Sequence, residues 1–93
     1  MATSIKFGAG TFVQETYNAA TGVVTKTLSS PANLLRIRNL DGTNNVLISL
    51  DGTNFLTIRP GEIFTLECTG LKSYKVKSSA GTPSTECLYG SEA

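Results

Sequence analysis

Ninety-three residues, eight Lys/Arg against seven Asp/Glu and a formal charge of +1 leave no basic field able to displace counterions, so no nucleic-acid partner is expected. No run approaches the ~20 apolar residues of a membrane helix, so no membrane partner is expected either. Met1-Ala2-Thr3-Ser4-Ile5-Lys6-Phe7 lacks the apolar core of a signal peptide, so synthesis in a host cytoplasm is expected. Hydrophobic residues make up 40% and charged ones only 16%. Either part of the surface is reserved for protein contact, or Ser, Thr, Asn and Gly solvate it without charge.

In chain order, Phe7-Gly8-Ala9-Gly10 reads as flexible, and Thr11–Tyr17 and Val23–Leu28 are β-rich with a loop at 18–22. Two readings stay open for this N-terminal part, residues 1–32. It is a hairpin that completes the domain, or an arm that adds a strand to a neighbouring subunit. In the second case Ser29-Ser30-Pro31-Ala32 is the hinge, because the residue before a proline is pushed to extended geometry.

From residue 33 to 93 the apolar residues alternate. Leu35 and Ile37 oppose Arg36 and Arg38; Val46, Ile48 and Leu50 share a face, as do Leu56 and Ile58, then Phe64, Leu66 and Cys68, then Tyr74 and Val76. Successive strand side chains project to opposite faces, so this is half-buried sheet, and no stretch has helical spacing. Turn residues mark the strand ends. Asp41-Gly42-Thr43-Asn44 and Asp51-Gly52-Thr53-Asn54 repeat one motif, Pro60-Gly61 fits a type II turn, Thr69-Gly70 closes the strand at 62–68, and a polar loop at 78–83 precedes a last strand near 84–89. The expected fold is all-β: a small antiparallel β-sandwich, Greek-key or meander, of about six to eight short strands, with a β-rich N-terminal hairpin or arm.

Chemistry finds little support. Histidine is absent, which removes Ser-His-Asp and Cys-His arrangements. Cys68 and Cys87 lack a neighbouring base, and two isolated cysteines fall short of a zinc set, so they read as packing thiols, and a reducing compartment argues against their pairing. Glu62 and Glu67 fall on opposite faces of one strand. Asp41, Asn44, Asp51 and Asn54 offer hard oxygen ligands, but a five-residue strand holds the two turns about 15–17 Å apart, and turn formation explains them without calcium. No catalytic residue, metal or cofactor is expected. Arg36, Arg38, Arg59, Lys72, Lys75 and Lys77 form either a solvated face or a basic stripe for an acidic protein surface.

Leu35-Arg36-Ile37-Arg38-Asn39, Asn45 to Gly52, Phe55 to Glu62 and Tyr74 to Thr82 follow one another in an order that resembles small β-sandwich structural proteins of tailed-bacteriophage virions. The resemblance spans about residues 33–90 at the level of pattern. It implies a non-enzymatic capsid decoration, or cement, protein on the outer surface of the shell. Its partner would be the major capsid protein or another virion protein, its assembly a homo-oligomer, most simply a trimer, and Phe7, Phe12, Val13 and Tyr17 its contacts. A neck, tail or fibre-associated component is the alternative within virions. A carbohydrate-binding module, with Tyr17 or Tyr89 as stacking platform, is the alternative outside them.

Overall fold

The structure, a computed structural model, describes residues 2–7 and 10–91, with side chains from Phe12 to Ser91. The strands are β1 (Ala2–Phe7), β2 (Gly10–Asn18), β3 (Val24–Asn39), β4 (Val46–Ser49), β5 (Leu56–Ile58), β6 (Ile63–Ser78) and β7 (Ser84–Ser91). They form one antiparallel sheet in the order β1-β2-β7-β3-β6-β4-β5. Consecutive strands are neighbours only in β1–β2 and β4–β5, so the connectivity is not a meander.

The sheet curls because β3 and β6 are long and change layers midway. Residues 34–38 of β3 pair with 63–67 of β6, whereas 24–27 pair with 73–76, with register shifts between Thr27 and Leu34. β7 joins only the later half of β3, and β4 only the later half of β6. One layer is therefore β1, β2, β7 and the adjoining halves of β3 and β6; the other is the remaining halves with β4 and β5. Irregular pairing shifts the inward parity of β3: Leu28 and Ala32 are buried, then Leu35, Ile37 and Asn39. Ser29–Ala32 is thus a bend within a strand. In β6 the bend comes at Gly70, whose φ of 65° lies where a Cβ is penalised. Thr69-Gly70 accordingly does not end a strand, as the sequence suggested; it lets one strand serve both layers.

The core holds Leu35, Ile37, Val46, Ile48, Tyr74 and Val76, with Val13, Ile58, Cys87 and Tyr89 around them. Two apolar positions depart from expectation. Leu50 lies just past the end of β4 and is 41% exposed, and Leu56, across from buried Ile48 on the edge strand β5, is 49% exposed. The two Asp-Gly turns work through the aspartate. Asp41 Oδ2 accepts from the amides of Thr43 and Asn44, and Asp51 Oδ1 from those of Thr53 and Asn54. Gly52 has φ 83° while Gly42 stays outside the positive-φ region, so the first turn does not use its glycine's freedom. At Pro60-Gly61 the Glu62 amide donates to the Arg59 carbonyl at 2.9 Å with Gly61 at φ 79°, the expected type II turn.

Candidate interaction surface

Among the described residues, open space beside polar groups lies in the cleft between the layers, on the outer face of the β2–β7–β3–β6 layer, and in a smaller hollow of about 230 Å³ at the β4–β5 turn lined by Leu50, Asp51, Asn54 and Leu56. The cleft comes first because the sequence placed three candidate residues near it. Tyr17 from β2 and Tyr74 from β6, strands that are not sheet neighbours, meet hydroxyl to hydroxyl at 2.8 Å across the interior. The Lys26 ammonium bridges to Glu15 at 3.2 Å and sits 4.3 Å over the Tyr17 ring. Behind this rim lies a cleft of about 400 Å³ with Val13, Leu28, Tyr74, Cys87 and Tyr89 among its walls.

Burial governs the chemistry of its inner wall. Burial holds the Tyr17 and Tyr74 phenols protonated far above the ordinary tyrosine range, and pushes the Cys87 thiol up to about 11. A thiol kept protonated at neutral pH is a poor nucleophile. The Tyr89 hydroxyl is held by the Ser29 amide and hydroxyl. Buried Asn39 braces the turns, its Nδ2 donating to the Asn44 and Ile58 carbonyls and its Oδ1 accepting from the Asp41 amide. Every described buried side-chain polar atom has a partner. Cys68 and Cys87 are both free thiols, Cys68 donating to the Ala32 carbonyl at 3.3 Å.

The outer face is different. Cross-strand register aligns Phe12, Gly90, Leu34 and Glu67 in one row, Gln14, Leu88, Arg36 and Thr65 in the next, and Thr16, Glu86, Arg38 and Ile63 in a third. Where Gly90 contributes no side chain, a hollow of about 360 Å³ opens, with Phe12 and Leu34 in its walls. Beside it lies a second hollow of about 220 Å³ lined by Gln14, Arg36, Arg38, Glu86 and Leu88. Glu86 stands opposite Arg38 in register, yet its carboxylate accepts from the Gln14 amide at 3.0 Å. Among the described residues the ion pairs are Lys26–Glu15 and Arg59–Glu62, which leaves both guanidinium groups unpaired.

No protein-family profile matches this sequence, and no curated protein does. Solved structures do. A Cupin_2 domain of an XRE family transcriptional regulator from Enterobacter cloacae is 12% identical, with a TM-score of 0.64 over 100% of this chain and 97% of that one. A Bacillus endospore appendage protein of disulfide-linked pili is 14% identical, with a TM-score of 0.61 over 97% of this chain and 88% of its own. Phosphomannose isomerase from Salmonella typhimurium is 12% identical with a TM-score of 0.63, but this chain spans only 23% of it. At such identities the likeness is one of fold. The fold is an all-β antiparallel sandwich similar to that of these proteins.

The residues singled out from the sequence separate between these regions. Val13 is buried in the core and Tyr17 spends its hydroxyl on Tyr74. Phe12, between them in β2, lines the outer hollow. The Phe7 side chain lies outside the described residues, although its backbone belongs to β1. β2 itself lies between β1 and β7 of its own chain. The six basic residues do not make one stripe. Arg36 and Arg38 face outward on one layer, Lys75 and Lys77 belong to the other, and Arg59 pairs with Glu62 in a turn. Gly90 went unnoticed in the sequence, since a hollow made by a missing side chain appears only once Phe12 and Leu34 are known to flank it.

Proposed function

We propose that this protein is a non-catalytic structural subunit of a larger protein assembly, with the outer surface of a tailed-phage capsid as the setting its strand pattern implies. The observation that carries the reading is the contrast between inside and outside. Within the sandwich, thiol and phenols are protonated and internally bonded. On one outer face, a hollow walled by Phe12, Leu34 and Glu67 adjoins Arg36 and Arg38, which make no ion pair among the described residues. Such a face suits adhesion, and a small contact repeated over many copies gains strength through avidity. The major capsid protein is the proposed partner, and a homotrimer the proposed assembled form.

The tyrosines weigh against carbohydrate binding. Tyr74 and Tyr89 are buried, and a lysine ammonium covers one face of the Tyr17 ring. The decisive experiment is quantitative mass spectrometry of particles purified from cells that make the protein, followed by stripping and adding it back. The reading expects a copy number in simple proportion to the major shell protein, and a shell melting temperature that falls on stripping and recovers on addition. A handful of copies per particle would move the protein to the neck or tail. A protein found only as a free monomer would refute the proposal.

A further inference from the structure

The outer face fixes more than a place of contact; it fixes the pattern of what binds there. Arg36 and Arg38 are two apart on β3, so their side chains leave one face about 6.5–7 Å from each other. The hollow at Gly90 lies one further row along, flanked by Leu34. Along β3 the face therefore presents a seat with Phe12 and Leu34 as its apolar walls and Asn33, Glu67 and Ser91 as its polar ones, then a cation and a second cation at two-residue spacing. An extended segment laid along it presents its own side chains at the same repeat.

We propose that this face docks an extended segment of a partner protein reading apolar-x-acidic-x-acidic, with the apolar side chain in the Gly90 hollow and the two carboxylates on Arg36 and Arg38. Charge sets the polarity of the docked strand. Glu67 lines the hollow and repels an acidic side chain seated there, while at the other end two guanidinium groups outnumber the one carboxylate, Glu86, and favour acids. Gln14 contributes by holding the Glu86 carboxylate, which otherwise competes for Arg38. The occupant is a different chain. The acidic residues of this one stand at 15, 41, 51, 62, 67, 86 and 92, and no two are two apart, so no strand of a second copy answers both arginines. The inference deepens the assembly role and depends on it for biological meaning, but its chemistry is tested separately.

The test is a ¹⁵N-HSQC titration of the full chain with the peptide acetyl-Ser-Leu-Thr-Glu-Ser-Glu-Thr-amide and with its Gln-for-Glu counterpart. At low salt the Glu peptide should shift amides around Leu34, Arg36, Arg38 and Leu88, and bind about five- to tenfold tighter than the Gln peptide, the sum of two exposed ion pairs. Raising the salt should erase that difference. The double variant Arg36→Glu/Arg38→Glu should lose the Glu peptide and acquire a Lys-for-Glu one, whereas Lys75→Gln should change nothing. Equal binding of Glu and Gln peptides, shifts mapping elsewhere, retention of the Glu peptide by the charge-reversed variant, or equally tight binding of a thymidine oligonucleotide would each overturn the inference. A failed titration alongside a fixed copy number in particles refutes this recognition and leaves the assembly role standing. A successful titration with no particle association refutes the assembly role alone.

Discussion

Tyr74→Phe deletes the hydroxyl that meets the Tyr17 hydroxyl at 2.8 Å between the two layers. The bond itself contributes about 0.5–1.5 kcal/mol, and stranding a hydroxyl in the interior costs about 1–3 kcal/mol. The two single variants are not equivalent. Tyr17→Phe strands the hydroxyl of Tyr74, which is buried, whereas Tyr74→Phe strands that of Tyr17, which is partly exposed and can turn to water. Tyr17→Phe should therefore cost about 2 kcal/mol and Tyr74→Phe about 1 kcal/mol. The double variant removes donor and acceptor together, so its loss should fall near that of one single variant, a coupling of about 1 kcal/mol or more. Urea unfolding followed by circular dichroism reads all three differences, provided the m-value is unchanged. On heating, each kcal/mol lowers Tm by about 4–8 °C for a domain of this size. Additive single losses would refute the reasoning, since they would mean the hydroxyls do not meet.

Further predictions concern the thiols, the alkaline limit and the turns. Ellman's reagent should modify Cys68 in the native protein and Cys87 only on unfolding, because Cys87 is buried with its thiol protonated; two equally fast thiols would contradict this. Since the folded Cys87 pKa is raised from 9.0 to about 11, its contribution is complete below pH 9 and is lost as pH rises towards 11. Stability should fall by up to about 1.4 kcal/mol per pH unit from this one group, and Cys87→Ala should flatten the slope in that window. Gly70→Ala should cost about 1–2 kcal/mol through backbone alone, since the added Cβ meets nothing within 4 Å; Gly42→Ala, outside the positive-φ region, should be close to neutral. Asp51→Ala should lower Tm more than Asp41→Ala. Asp51 accepts from the Ser49 hydroxyl and the Asn54 side-chain amide as well as two backbone amides, where Asp41 holds only two amides.

The alternation of Leu35 and Ile37, Val46 and Ile48, and Tyr74 and Val76 made the all-β sandwich legible, because a strand's two-residue period is local information. Turns written in Asp-Gly and Pro-Gly were equally plain, although Gly42 shows that the same dipeptide can act through its carboxylate alone. What the sequence concealed was the length of β3 and β6. A glycine that ends a strand and a glycine that bends one look identical until pairing on both sides is known. Leu50 and Leu56 were misplaced for a related reason, since periodicity does not say where β4 ends or that β5 is an edge strand. At the interaction surface, the outward direction of Arg36 and Arg38 was readable. The hollow beside them required the register of three strands, and the freedom of Arg38 required knowing that Glu86 turns to Gln14.

Cryo-electron microscopy of particles purified from cells that make this protein tests the proposed assembly role most directly. The account predicts this β-sandwich on the exterior, with the Arg36–Arg38 face and the Gly90 hollow pressed against an acidic, extended segment of a neighbouring protein. A particle in which that face looks into solvent, or one that lacks the sandwich altogether, would contradict it.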